Sequence, residues 1–230
     1  RLCRTESYDG PLISVVTPKA EGVLAVLNAA NRENCNYHNL QLNRIYTATS
    51  IRVESQTLNT VGSVLPVAPA LAVDNDGNAL VVWKEALDNR YPPDKTIRLF
   101  WSQSLYGGPW STPQAISANL STMGNVRREG HIALAMNGKG QAIISIKVDG
   151  LTNSSVNQSV VASKFSFESG WTPWQKIANK QNLTDPKVAI NANGLAVIAY
   201  TGLPALRVNG EAPTAISTKD ALANAYAYRF

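Results

Sequence analysis

Residues 69–83 read PALAVDNDGNALVVW. Two apolar runs, ALAV and ALVVW, flank a polar turn that closes on Gly77-Asn78. An Asx-rich turn ending in glycine between β-branched runs predicts a tight hairpin, because such turns need residues at positive φ. The pattern occurs four times, aligned on Gly22, Gly77, Gly140 and Gly194, which stand 55, 63 and 54 residues apart. Five residues before each glycine is a small residue: Thr17, Ala72, Ala135 and Ala189. Its neighbours are large and apolar in most copies, as in Leu71 and Val73 or Leu134 and Met136. A column of small residues between two large ones is a packing requirement, imposed where one sheet must approach another closely.

The rest of each repeat supplies two more strands. After PALAVDNDGNALVVW come IRLFWSQS at 97–104, a Gly107-Gly108-Pro109 turn and a short strand around Trp110–Ile116. The third copy runs IALAM, AIISI, VVASKFSF and WTPWQKIA, and the first offers LQLNRIYT and IRVES. Four antiparallel strands per repeat, with second strands apolar on both faces, predict an all-β, four-bladed β-propeller of four-stranded antiparallel blades. Blades are expected at about 11–58, 66–118, 130–179 and 186–230 plus 1–8 of a single 1–230 domain. The last copy reaches only AYAYRF at 225–230. Its missing outermost strand is assigned to the N-terminal segment around Leu2–Glu6, which closes the ring; the competing reading is an arc cut from a larger propeller.

Composition excludes several classes. Of the 230 residues 44% are hydrophobic, enough for a core, and 16% are charged, too few for a disordered chain or coiled coil. The net charge is +5, but its basic residues form no run longer than Arg127-Arg128. Nucleic acid, which favours a clustered basic stripe, is therefore not the expected partner. No stretch approaches the ~20 apolar residues of a membrane-spanning helix, and no signal peptide or lipidation motif is seen. The chain starts at Arg1 without methionine and reads as a processed or trimmed product. Cys3 and Cys35 admit two readings, a pair of buried thiols or one disulfide. The polar setting of Cys35 and the expected place of residues 1–8 favour the disulfide, and with it an oxidising, exported compartment.

Loop lengths differ between the two ends of the blades. Loops after first and third strands are tight: DNDG, NGKG, NANG, YGGP and ESG. Those after second and fourth strands are long, at 29–39, 84–96, 147–159, 57–67, 118–131 and 179–187. Binding belongs to loops carried by a rigid scaffold, so the long-loop face is the expected site region. Candidate ligand-binding residues there are Tyr37, His38, Arg90, Tyr91, Arg127, Arg128, Glu129 and His131. Arginines, a carboxylate and an imidazole suit an acidic sugar or a partner's carboxylate, and the tyrosines and His38 suit stacking on a sugar. The competing reading of Arg127–His131 is a solvated loop with one ion pair. Asp88 and Asp94 supply possible glycosidase carboxylates, against the reading that they are ordinary loop residues. The five tryptophans, Trp83, Trp101, Trp110, Trp171 and Trp174, are assigned to blade packing.

No catalytic or metal residue is assigned. Asp74-Asn75-Asp76-Gly77-Asn78 resembles the start of a calcium loop, but the equivalent turns carry no carboxylates. Two histidines, His38 and His131, and no Cys/His metal spacing argue against zinc. There is no G-x-S-x-G elbow. No cofactor is expected, an axial cation held by backbone carbonyls being the one possibility kept.

Residues 69–83 with Ile97–Phe100, Gly107–Trp110 and Pro113 resemble a repeat of exported bacterial propeller proteins, P-x-V-A-V-D-x-x-G-N-A-x-x-V-W followed by G-x-W-x-x-P. The resemblance covers most of residues 66–200. SQSLYGGPW at 102–110 is loosely similar to the Asp-box of sialidases, without its aspartate. The resemblance implies a secreted, periplasmic or cell-surface bacterial protein. The function expected is a monomeric binding module that recognises a glycan or protein through the long-loop face. The alternatives are a propeller-fold glycosidase or lyase, and a structural module with no ligand of its own.

Overall fold

The structure is a computed structural model that describes residues 13–16, 21–28, 39–46, 52–58, 65–86, 97–105, 108–116, 120–127, 130–150, 158–180, 183–202 and 226–229. The described residues are all-β: seventeen strands and one short 3-10 turn at Leu120–Thr122. They form four successive antiparallel sheets. The first holds β1 (Ile13–Val16), β2 (Glu21–Asn28), β3 (Asn39–Tyr46) and β4 (Arg52–Leu58) in that spatial order. The second holds β5 (Leu65–Val73), β6 (Ala79–Ala86), β7 (Ile97–Ser104) and β8 (Gln114–Ala115). The third runs from β9 (Asn125–Val126) and β10 (Ala133–Met136) through β11 (Ala142–Asp149) and β12 (Gln158–Ser166) to β13 (Gly170–Trp171) and β14 (Gln175–Lys180). The fourth orders β15 (Lys187–Ile190), β16 (Ala196–Tyr200) and β17 (Tyr226–Arg229). The leading strands pack in sequence, β1 against β5, β5 against β10 and β10 against β15, which gives a propeller-like succession.

Strand alternation splits each middle sheet between two cores. On β6, Ala79, Val81 and Trp83 join Leu40, Leu42 and Leu58 of the first sheet. Leu80 and Val82 face the other way and meet Ile144, Ile146 and Phe165 of the third. Ile143, Val160 and Ala162 of the third sheet then meet Ala196, Ile198 and Tyr200 of the fourth. Sheets buried on both faces need near-continuous apolar second strands, which is why ALVVW and AIISI do not alternate with polar residues. Trp83 is fully buried, stacks with Phe100 at 6.2 Å and donates its indole N–H to Glu85 Oε1 at 2.6 Å. Trp110 and Trp174 are also buried, and Trp101 and Trp171 pack partly buried on the central core.

The small column has a direction. Leu134 and Met136 pack toward the second sheet, whereas Ala135 between them packs toward the fourth. Val188 and Ile190 likewise pack back on the third sheet, and Ala189 between them is exposed. Ala135, and by strand alternation Ala72, thus lie on the side where the next leading strand arrives. On that same side of the fourth sheet Val197 is 41% exposed.

The first repeat departs from the glycine alignment. Val73, Met136 and Ile190 pair with Ala79, Ala142 and Ala196, two residues after the turn glycine. In the first sheet Val16 pairs with Gly22 itself. Gly22 is therefore inside β2, in the place of Ala79, and the column position belongs to Val15 (paired with Val23) rather than Thr17.

The fourth-strand motif also has a physical role. Ser102 Oγ donates to Ser111 O at 2.7 Å, and Gln103 N donates to Ser111 Oγ at 3.1 Å. One sheet on, Ser163 Oγ donates to Thr172 O at 2.6 Å and Lys164 N to Thr172 Oγ1 at 3.0 Å. The Ser or Thr after each motif tryptophan pins the last part of the sheet to its third strand. Gln56 of the first sheet holds Trp110 through both its N–H (3.0 Å) and its carbonyl (3.3 Å).

Candidate functional site

At the short-turn end the polar groups satisfy one another. Asp74 Oδ1 accepts from the backbone N–H of Asp76 (2.9 Å) and Asn78 (2.8 Å). Asn137 Oδ1 accepts from Lys139 N and Gln141 N at 3.0 Å each, and Asn191 Oδ1 from Asn193 N (3.0 Å) and Leu195 N (2.9 Å). A neutral amide does the same work as the carboxylate, so this is Asx-turn chemistry rather than a cation loop. Among the described residues no group of three or more His, Cys, Asp or Glu side chains is placed to hold a metal. The turns also lean on one another: Asn75 N donates to Gly138 O at 3.3 Å, and Asn137 Nδ2 to Asn191 O at 3.1 Å. Arg44 of the first sheet, 3% exposed, donates to Gly77 O (3.1 Å) and Ser104 Oγ (3.0 Å).

The opposite end, where second strands exit, is built differently. In the second sheet the leading strand is continuous past a bulge between Val67 and Ala70, where Ala68 has φ +49°. In the third sheet the strand is broken into β9 and β10. Pro66 pairs with Glu85 and Ala70 with Val82, three residues lying between them; the equivalent pairs Val126–Val148 and Ala133–Ser145 enclose six. The extra length carries Arg127 and His131.

This excursion is held from both neighbouring sheets. Lys84 of β6, 1% exposed, donates to Gly130 O at 2.9 Å. Asp185, just before β15, accepts the His131 backbone N–H through Oδ2 at 3.1 Å. Gly130 has φ +93°, and a Cβ there would stand 3.1 Å from Asp185 Oδ1, so both conformation and space call for glycine. Lys147 of β11 stands at the same register as Lys84 and repeats its role, donating to Leu183 O at 3.1 Å. Its Nζ is also 3.4 Å from Asp185 Oδ1. Arg127 Nε is ion-paired and hydrogen-bonded to Asp149 Oδ2. Asp149 Oδ1 is buried and accepts no hydrogen bond among the described residues.

The charges are mutually tuned. Burial pushes the Lys84 ammonium down to about 8, with Lys147 adding to the shift and Asp185 opposing it. Burial alone would raise Asp185, but the His131 N–H and then the Lys147 ammonium outweigh it and hold the carboxyl below its ordinary value.

Of the sequence-selected residues, the structure places Arg127 against Asp149 and the His131 backbone against Asp185, with the His131 residue exposed. Tyr37, His38, Arg90, Tyr91, Arg128 and Glu129 lie outside the described residues, as do Cys3, Cys35 and the segment 1–8. Sequence reasoning missed Lys84, Lys147, Asp149 and Asp185. A signal existed for the lysines: each stands seven residues after its turn glycine, at the end of an apolar second strand.

No family model matches the chain, and no curated protein sequence matches it. Solved structures do. The polysaccharide lyase Uly1 aligns with a TM-score of 0.51 at 11% identity, over 86% of this chain and 55% of its own. The chain thus spans about half the length of that lyase. The endo-arabinase from Bacteroides thetaiotaomicron VPI-5482 gives 0.47 at 10%, over 95% and 72%, and the intramolecular trans-sialidase from Ruminococcus gnavus 0.43 at 10%, over 83% and 38%. At 11% identity the likeness to the lyase is one of fold alone.

Two outcomes test the two ends. Asp74→Asn keeps the turn and changes unfolding free energy by less than about 1 kcal/mol, whereas Asp74→Ala strands two N–H groups and costs about 1–3 kcal/mol. Calcium and chelator leave the melting temperature of both unchanged; a calcium-dependent rise in the parent chain would refute the Asx-turn account. For Lys84, the unfolded chain binds more protons than the folded one between about pH 8 and the ordinary lysine value of 10.5. The penalty of its buried ammonium is full below that window and is relieved as pH rises through it. Urea titrations of the parent and Lys84→Met should show their stability difference shifting toward the parent from pH 7.5 to 10; a constant difference contradicts this.

Proposed function

We propose that the chain is a binding module that recognises a glycan or protein through its long-loop end. The observation that carries this is the break in the leading strand of the third sheet between Val126 and Ala133, where Gly130 is held by Lys84 on one side and His131 by Asp185 on the other. The short-turn end, by contrast, spends its polar groups on its own turns. The glycosidase or lyase reading is weaker. A general-acid carboxyl needs a raised pKa, while Asp185 is held low and Asp149 is committed to Arg127; Asp88 and Asp94, the carboxylates the sequence offered, lie outside the described residues. The exported, bacterial setting belongs to the same proposal and rests on the repeat resemblance; Cys3 joined to Cys35 rests on the polar setting of Cys35 and the expected place of residues 1–8.

For the finer architecture we propose a monomeric four-bladed ring, completed by a strand from around Leu2–Glu6. In such a ring the first blade would cover the side of the fourth sheet on which Val197 is exposed.

Glycan arrays and surface-protein capture should identify a ligand whose binding is lost when Tyr91, Arg127 and Arg128 are changed to Ala; binding that survives the triple change moves the site elsewhere. For the ring, Val197→Lys should cost at least about 1 kcal/mol in a urea titration, since a closed ring buries that position. A change within about 0.5 kcal/mol, as at an ordinary surface site, would mean an open arc.

A further inference from the structure

Away from the long-loop end, the hairpin turns carry a reactive pairing. Among the described residues two asparagines precede glycine, Asn137-Gly138 and Asn193-Gly194. The glycine nitrogen of such a pair has no Cβ beside it to hinder attack on the asparagine carboxamide. A bond forms from the glycine N to the asparagine Cγ, and the Cγ–Nδ2 bond breaks and releases ammonia. Water then opens the cyclic imide to aspartate or iso-aspartate. The step needs a carboxamide free to turn onto the main chain and a glycine N–H able to give up its proton.

The fold treats the two pairs differently. Asn137, first in its turn, is 5% exposed. Its Nδ2 donates to Gln141 Oε1 (2.9 Å) and Asn191 O (3.1 Å), and its Oδ1 accepts from Lys139 N and Gln141 N at 3.0 Å each. The Asn75 carboxamide fills the space that a Cβ on Gly138 would take. Asn193 is third in its turn and exposed. Its backbone N–H donates to Asn191 Oδ1 at 3.0 Å, but among the described residues its carboxamide makes no hydrogen bond. One bond guards the attacking nitrogen, from Gly194 N to Asn191 O at 3.0 Å. An exposed turn bond opens more readily than a buried side chain bonded on both sides.

We infer that Asn193 is a site of spontaneous deamidation, and that the fold protects Asn137. The two products differ in consequence. Aspartate fits, because Asp76 stands exposed at the same turn position, one residue before Gly77. Iso-aspartate adds a methylene to the main chain inside the turn that Asn191 Oδ1 closes by accepting from Asn193 N and Leu195 N. It therefore loosens the hairpin of β15 and β16.

The test is incubation of the full 230-residue chain in mildly alkaline buffer, followed by peptide mapping with mass spectrometry. The amide-to-acid mass shift should build up at Asn193 at least about tenfold faster than at Asn137, a difference in opening of about 1.4 kcal/mol. In urea the two rates should converge. Asn193→Gln should remove the acidic form from that peptide and leave the melting temperature unchanged. Asn209-Gly210, outside the described residues, falls on its own peptide and does not enter the comparison. Equal conversion of Asn137 and Asn193 in the folded chain overturns the inference. So does an Asn193 that stays an amide in buffer but converts in urea.

Discussion

The two middle sheets depend on the burial of a second strand on both of its faces. Trp83 looks into one core, and Leu80 and Val82, on the same strand, look into another. Such a strand has no face to offer water, so a sheet of this kind is not a stable object alone. Apolar contact supplies the attraction between sheets but no register. Register comes from polar groups that cross the interfaces: Arg44 on Gly77 and Ser104, Gln56 on Trp110, Lys84 on Gly130, Lys147 on Leu183. Most of these end on backbone carbonyls, which makes them tolerant of side-chain change in the neighbouring sheet.

The two ends use this polar stitching in opposite ways. At the turn end each Asx side chain closes its own hairpin, and one turn leans on the next. At the other end, lysines of the second strands reach forward to the next entry segment. In the third sheet that segment is longer by three residues, and a carboxylate is needed on its far side to hold it. The concentration of charge there follows from the longer segment: its N–H groups and cations need partners that the short bulge of the second sheet does not.

Much of the scaffold was legible from residues 69–83 and their copies. The hairpin turns, the two-faced second strands, the tryptophans as packing residues and the Asx turn in place of a calcium loop all follow from local chemistry repeated in sequence. The first copy misled because its turn, Thr17-Pro18-Lys19-Ala20, lacks the Asx-Gly signature, while Gly22 imitates it two residues late. The Arg127–His131 segment stood out by composition, but its partners did not. Asp185 comes from the fourth sheet and Lys84 from the second, and no spacing in one repeat announces a contact made between three. Asp149 shows the same blindness at closer range: it is the last residue of β11, and only the return of β9 along that edge brings Arg127 to it.

Gly130 brings out what this means for the excursion. Its carbonyl is held by a lysine rooted in the sheet before, and the space where its side chain would be is occupied by an aspartate rooted in the sheet after. The conformation at Gly130 is a casting taken between two moulds. Substitutions deep in either adjoining core, by altering the spacing of the sheets, would reshape this end of the third sheet without touching one residue of it. Evolution could therefore reshape this loop end from the interior, where changes would not look like changes to it at all.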